Sequence, residues 1–384
     1  MPNEHPRDGI SRRSVLEGTA AVGGAGLVGF GGSELAAAGG RTTLIIRADE
    51  LDTDALTRDA DVVDELKSTA QTTQRPIVEY LQDREGIRIR NRFWITNALL
   101  IEVDTSKVSV GEVAATPGVR HVHENFTLEL PEPAAGPEQS DGEPVTTYGL
   151  EQIDAPTARE QFGTNGEGAD IAVVDTGVDP EHPDIDIQDQ NFVEFDSDGN
   201  EIENAETRDS SYHGTHVSGV VTGGDAFVND ADENVEIGVA PGATLYHALS
   251  LPDGGGTFAQ VIAGIQWAVD RGVDVVNLSL GARGFQPDVI EPVRNAVEAG
   301  VVVVASSGND GPGTVSSPGA VFEATAVGAT DETRTVTDFS SGATIDTDED
   351  WGADAPDTWP EEYLIPDLSG PGSEVLSAFP RDAA

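Results

Sequence analysis

Short apolar runs alternate with stretches of helical spacing over the second half of the chain, and this alternation restricts the fold more than any other property of the sequence. The runs Ile171–Val174, Thr244–Leu251, Val273–Leu278 and Val301–Ala305 have the length and the Val/Ile/Leu content of strands buried on both faces of a parallel sheet. Between them, Phe258, Val261, Ile262, Ile265 and Val269 share one helical face, as do Val289, Val293, Ala296 and Val297, the latter helix ending at Gly300 as its C′ residue. Strand–helix–strand units of this kind predict an α/β fold with a mainly parallel sheet and helices on both faces. Ligands of such folds sit at the C-terminal ends of the strands. The acidic, apolar-poor stretch from Asp346 to Glu362 is expected on the surface as a loop.

Charge narrows the class of partner. The 384 residues, enough for two or three domains at about 100–200 residues each, hold 69 acidic and 21 basic side chains, a formal net charge of -48. Nucleic acid and anionic lipid need clustered Lys and Arg, and this chain offers no basic stripe or tail. With 38% hydrophobic residues it has a core to build, unlike a disordered acidic tail. Self-repulsion of this size is screened when the Debye length falls to ~3 Å near 1 M salt, so molar salt is the expected medium. The only lysines are Lys67 and Lys107, a depletion that resembles proteins of halophiles. Cysteine is absent, which excludes disulfides, thiolate metal sites and cysteine nucleophiles.

The N-terminal 1–38 reads as an export signal: Ser11-Arg12-Arg13-Ser14-Val15-Leu16 precedes the weakly apolar run Gly18 to Phe30 and then Ala36-Ala37-Ala38. This looks like a twin-arginine signal; the competing reading is a disordered end with a chance arginine pair. The run is shorter than the about 20 apolar residues a membrane span needs. Residues 42–130 form a separate small α+β unit, with a β-rich Thr42–Arg47, helical spacing through Val62, Leu66, Ile77 and Leu81, and one or two strands within Ile87–Val103. Residues 131–147 are acidic and rich in Pro and Gly, the composition of an exposed, cleavable linker. No internal repeat is visible.

Three strand-end sites carry candidate chemistry. Asp175 follows Ile171-Ala172-Val173-Val174 and precedes Thr176-Gly177; its bland alternative is a turn aspartate bonding its own backbone. His213 opens the small-residue helix His213-Gly214-Thr215-His216-Val217-Ser218-Gly219, and Ala305-Ser306-Ser307-Gly308-Asn309-Asp310-Gly311 places an amide donor in a tight turn after a strand.

These elements resemble the subtilisin-like serine peptidases, in particular the halolysin-type enzymes of haloarchaea. Val173-Val174-Asp175-Thr176-Gly177-Val178-Asp179 is similar to that family's aspartate motif and His213–Gly219 to its histidine motif, in the same order. Gly238-Val239-Ala240-Pro241-Gly242-Ala243, Asn277-Leu278-Ser279-Leu280-Gly281 and Ser307-Gly308-Asn309-Asp310-Gly311 match further family elements. The resemblance implies a three-layer αβα peptidase domain over 148–384, entered at Tyr148-Gly149-Leu150. It also implies a ferredoxin-like propeptide over 42–130 that acts as an intramolecular inhibitor and folding aid. In the roles it implies, His213 is the general base, Asp175 fixes its tautomer and Asn309 donates to the oxyanion. Ser279, Leu280 and Gly281 pair with an extended peptide and, with Ser306, Ser307 and Gly308, line the first specificity pocket. Gly254, Gly255 and Gly256 form a second peptide edge. Calcium at Asp184 is the only cofactor implied, with further ligands from Asp230–Glu236; no organic cofactor is. The expectation is a monomeric, exported endopeptidase acting on protein or peptide substrates.

One part of the family pattern is missing. The nucleophile lies in a Gly-Thr-Ser motif downstream of a segment that Asp367-Leu368-Ser369-Gly370-Pro371-Gly372 resembles, and no Gly-Thr-Ser occurs in this sequence. The expectation is a peptidase domain incomplete at its C-terminus. Gly313-Thr314-Val315-Ser316-Ser317-Pro318 is the nearest string but aligns with a loop after the oxyanion asparagine. The alternative of another class is a catalytically inactive product whose propeptide inhibits or chaperones other proteases. A pepsin-like site would need a second Asp-Thr-Gly or Asp-Ser-Gly, which is absent, and a zinc site on His213 and His216 lacks a third ligand at recognised spacing. His121 and His123 are read as propeptide structure rather than as a ligand pair.

Overall fold

The computed structural model describes residues 26–27, 40–49, 62–130, 146–228 and 234–380. The 1–38 stretch read as an export signal, apart from Gly26 and Leu27, lies outside the described residues, as do 131–145 of the expected linker.

The N-terminal unit runs β1 (Arg41–Ala48), α1 (Val62–Leu81), β2 (Ile87–Phe93), β3 (Ala98–Asp104), α2 (Val110–Ala114) and β4 (Val119–Glu124). Its antiparallel sheet has the order β4–β1–β3–β2, with Gly26–Leu27 parallel beside β4. Strand alternation splits its apolar residues between two cores. Leu44, Ile46, Leu99, Ile101 and Val122 pack with Ile77 and Leu81 of α1. Ile45, Phe93, Ala98 and Leu100 instead join the main core of the second unit. The N-terminal unit is therefore docked through a full sheet face, not tethered beside its neighbour.

The second unit contains β6 (Asp170–Asp175), β7 (Phe192–Glu194), α5 (His213–Thr222), β8 (Thr244–Leu249), α6 (Phe258–Arg271), β10 (Val275–Leu278), α7 (Ile290–Glu298), β11 (Val302–Ser306), β12 (Thr325–Thr330) and β15 (Leu368–Pro371). Two short helices, α3 (Tyr148–Gln152) and α4 (Ala155–Phe162), lead into it. Seven strands pair in parallel in the order β15–β12–β11–β10–β6–β8–β7, the α/β sheet expected from the apolar runs. Ala172, Val174, Ala248 and Val276 face α6 and α7, while Val173, Leu245 and Leu249 face the other way, with Val217 and Val221 of α5. Helix α6 begins with a Thr257–Gln260 capping box and ends on Gly272 in the left-handed region. Gly300 follows α7 at φ +91, as a C′ glycine does.

The acidic stretch Asp346–Glu362 departs from expectation. It is bracketed by the hairpin β13 (Ala343–Asp346) and β14 (Glu362–Ile365) and carries a short helix, α8 (Thr347–Asp350). Its Trp351 and Trp359 are buried in the main core, edge to face with each other and with Phe285 and Tyr363. Two aromatic side chains bury more apolar surface than the flanking carboxylates forfeit, so a polar average hid an anchored element.

Candidate active site

Asp175 ends β6 and is fully buried. Its Oδ1 accepts the Thr176 amide at 2.7 Å, and the chain then turns through Gly177 at φ +110. His213 opens α5 across this turn, with Nδ1 2.8 Å and 2.9 Å from the two Asp175 carboxylate oxygens. A carboxylate can only accept, so the proton sits on Nδ1 and Nε2 keeps its lone pair. Burial alone would pull the His213 imidazole down. The Asp175 charge and hydrogen bond, with Asp209 beyond, outweigh it and hold the ring above the ordinary histidine value.

Asp209, which the sequence reading did not single out, ties turn and helix together. Its Oδ2 accepts from the Thr215 amide at 2.8 Å and hydroxyl at 2.6 Å, capping α5. Its Oδ1 accepts the Thr176 hydroxyl at 2.7 Å, and that hydroxyl in turn accepts the Gly214 amide at 2.9 Å. A carboxylate four residues ahead of a helix-opening histidine is the available signal. The approach is close enough to demand glycine: a Cβ on Gly214 would lie 2.0 Å from the Gly177 carbonyl oxygen. Gly214→Ala is expected to cost about 2–3 kcal/mol, read as a lowered thermal midpoint; an unchanged midpoint would mean that turn and helix separate freely.

Parallel pairing of β6, β10 and β11 puts Asp175, Ser279–Gly281 and Ser306–Asn309 at one edge of the sheet. Gly308 turns at φ +112 and Asn309 follows it, half-buried. The Ser307 hydroxyl donates to the Ser341 carbonyl at 2.9 Å. The wall at Gly281 and the wall at Gly308 meet at Ser316: an added Cβ on either would come within 2.3 Å and 2.9 Å of it. Ser316 and Ser317 donate their hydroxyls to the carbonyls of Ala282 and Gly284, so neither is bonded to the His213 ring.

A strand of this same chain pairs with the two segments expected to bind peptide. β5 (Thr127–Glu129), the last strand of the N-terminal unit, pairs antiparallel with β9 (Gly255–Thr257). On its other side the Glu129 amide donates to Gly281 at 3.2 Å and the Gly281 amide to Glu129 at 3.0 Å. The Leu130 amide donates to Gly254 at 3.0 Å, and Leu128 is buried in the core between. Thus Gly254, Gly255, Gly256 and Gly281 all border one extended segment, while His121 and His123 on β4 face Asp288 of the second unit at 3.4 Å and 3.5 Å.

Asp184 lies away from this edge. It is buried; Oδ1 accepts the Ala226 amide at 2.5 Å, while Oδ2 has no hydrogen-bond partner. A buried carboxylate oxygen left over is what a hard cation takes up. Asp230 and Asp232, from the expected ligand loop, fall outside the described residues, and among the described residues no group of three or more acidic or histidine side chains is arranged to hold a metal ion.

Residues 166–375, more than half of the chain, match the Subtilase family. The chain is 37% identical over 202 residues to Subtilisin Savinase of Lederbergia lenta, covering 52% of this chain and 69% of that protein. It is 36% identical over 227 residues to an alkaline protease of Alkalihalobacillus alcalophilus, 57% of this chain and 55% of the relative. Against Subtilisin E of Bacillus subtilis it is 32% identical over 269 residues, 68% of this chain and 64% of the relative. The matches thus span between about half and two thirds of these relatives' length. With the parallel sheet, the Asp175–His213 pair and these matches in hand, the chain belongs to the subtilase family.

Proposed function

We propose that this chain carries the general base, its orienting carboxylate and the peptide-binding edges of a secreted serine endopeptidase that hydrolyses proteins at high salt. The observation that carries this reading is the buried Asp175–His213 bond at the strand edge where β5 is already paired as a peptide would be.

In this mechanism a serine hydroxyl attacks the scissile carbonyl while His213 Nε2 takes its proton, and the imidazolium then gives that proton to the leaving amine. Asp175 keeps the ring in the reactive tautomer and stabilises its charged form. Asn309 donates to the oxygen that becomes negative, a contact whose loss costs ~10²–10³ in turnover. Water next cleaves the acyl-enzyme by the same proton path. Backbone pairing along Gly254–Gly256 and Ser279–Gly281 accepts many sequences, which suits a broad endopeptidase. The Gly-Thr-Ser nucleophile motif does not occur in these 384 residues, so the acyl step requires a serine outside this sequence.

The N-terminal unit is the intramolecular inhibitor in this reading, because no substrate can pair with either edge until β5 leaves. Asp184 would hold a calcium ion, whose charge would offset the buried carboxylate and brace the loop beyond α5. Export through the twin-arginine route and a monomeric state complete the reading; among the described residues no helix is long and apolar enough to cross a membrane.

The test is to read the gene in all three frames through and beyond the Ala384 codon. The expected result is Gly-Thr-Ser followed within a few residues by proline. Protein extended to include it should hydrolyse casein in molar salt and be labelled at that serine by a phosphonate, whereas the 384-residue chain does neither. Hydrolysis by the 384-residue chain itself would overturn the reading. Absence of the motif in every frame would favour the second reading, a nucleophile-free chain whose N-terminal unit binds intact proteases.

A further inference from the structure

His247 sits in the middle of β8 with no solvent exposure. Side chains alternate along a strand, so Leu245, His247 and Leu249 share the sheet face that looks toward α5, the face onto which Val173 and Asp175 of the neighbouring β6 also project. Its Nε2 accepts the Gly177 amide at 3.1 Å, and its Nδ1 lies 3.1 Å from the Ser218 hydroxyl oxygen on α5. Accepting at Nε2 fixes the proton on Nδ1, which is donated to Ser218. The ring is thereby a neutral bridge between the turn that follows Asp175 and the helix that begins with His213.

Gly177 has no side chain with which to hold its own position. Its turn is clamped on one side by the Asp209 segment, through the Val178 amide to the Arg208 carbonyl and the Ser210 amide to the Thr176 carbonyl, and on the inner side by His247. An apolar side chain at position 247 would fill the space but leave the Gly177 amide and the Ser218 hydroxyl buried without this partner, which is expensive in a dry interior.

We propose that His247 is a positioning residue for the Asp175–His213 pair, holding the Asp175–Gly177 turn against α5 so that the carboxylate meets the base. The proposal rests on the reading of His213 as the general base. The charged and titratable groups facing His247 are Asp175 on β6, Asp209 ahead of α5 and His213 on α5; burial, working against the two carboxylates, holds the ring's affinity for a second proton down to about 4. The bridge is therefore intact across the neutral range.

The experiment uses the full 384-residue chain, labelled with ¹⁵N-histidine in molar salt, and follows the His213 titration and its Nδ1 proton resonance. His247→Gln, whose amide oxygen reaches the Gly177 amide, is expected to keep the His213 titration within about 0.3 unit of the parent. His247→Leu is expected to lower it by about one unit, a tenfold loss of proton affinity, with a broadened Nδ1 resonance. A leucine variant that titrates like the parent, or glutamine and leucine variants displaced equally, would overturn the proposal. If the leucine variant does not fold, Ser218→Ala removes the helix anchor alone: a shift of His213 in the same direction supports the proposal and none overturns it. Because the readout is the pair itself, a failure of the extended protein to hydrolyse substrate would leave this result standing.

Discussion

Asp175→Asn should drop the proton affinity of His213 from above the ordinary histidine value of about 6.5 to below it. Opposed effects act on the ring: burial, the largest single one, lowers its affinity, and the charge and hydrogen bond of Asp175, together with the charge of Asp209, outweigh it. The asparagine keeps the shape of the site and leaves burial nearly unopposed. A displacement of more than one unit, more than tenfold in proton affinity, is therefore expected in a histidine titration followed by nuclear magnetic resonance. The amide group can also donate to Nδ1, which moves the proton to Nε2 and removes the lone pair a base needs. In protein extended to include a nucleophile, the same substitution should reduce turnover by ~10⁴, the loss found when a triad carboxylate becomes an amide, with little change in KM. The sign for stability follows: a ring whose folded affinity is raised contributes stability that is present below its unfolded value and lost as pH rises through its folded one. The gap in stability between parent and variant from this source should accordingly shrink as pH rises. An unmoved His213 titration in the variant would sink the assignment of Asp175 as its partner.

Why this pair could be found in the sequence, and its supports could not, has a physical basis. Asp175 and His213 announce themselves locally, one as a polar residue at the end of an apolar run and the other at the head of a helix of small residues. The buried strands were legible for the same reason, since Ile171–Val174 or Val301–Ala305 has no use for so much apolar surface except between two helical layers. His247 falls inside such a run and looks like a flaw in it. Only the register of β8 against β6 puts it beneath Gly177. Asp209 is one carboxylate among 69 acidic residues, and its distinction is four accepted hydrogen bonds, a matter of geometry rather than composition.

Pairings distant in sequence were also out of reach. Nothing within Thr127–Glu129 indicates that it will lie between Gly255–Thr257 and Gly281. The two-sided burial of the N-terminal sheet was present as unbroken apolar triplets, Leu44-Ile45-Ile46 and Leu99-Leu100-Ile101. An isolated small domain with one solvated face would have alternated instead. Trp351 and Trp359 were lost to averaging, because a window dominated by Asp and Glu reads as solvated even when two aromatic rings fix it to the core.

The contact between the two units should weaken about 10²-fold between pH 7.5 and pH 4.5. The rings of His121 and His123 stack at 5.5 Å on β4 and meet the Asp288 carboxylate of the second unit. Beside them Arg47 pairs with Glu291 at 2.5 Å and Arg120 approaches the same carboxylate at 3.5 Å. His123 is the sensitive group. Its Nδ1 lies 2.8 Å from the Glu124 carbonyl oxygen, while Nε2 is buried with no partner, so a second proton would enter a place with nothing to receive it. Burial lowers its affinity to about 4 despite the Asp288 charge, and Arg47 and His121 act in the same direction as burial. Once the units separate, the ring returns to an ordinary value near about 6.5. The separated form then binds the proton more tightly than the docked form, so docking is at full strength above about 6.5 and declines as pH falls from there to about 4. The difference, about 2.5 units, is worth about 3 kcal/mol. To measure it, the chain is nicked within the Pro/Gly-rich 131–147 stretch and the two pieces are followed by sedimentation in molar salt as pH is lowered. They should remain together at pH 7.5 and separate increasingly below pH 6, and His123→Phe, which keeps a ring but cannot take a proton, should hold them together within about threefold over the same range. If that variant parts from its partner as readily as the parent does, the acid response belongs to another group. If it does not, acid acts on the docked strand through this histidine: β5 leaves with the unit that carries it, and the backbone of Gly254–Gly256 and Gly281 loses its partner.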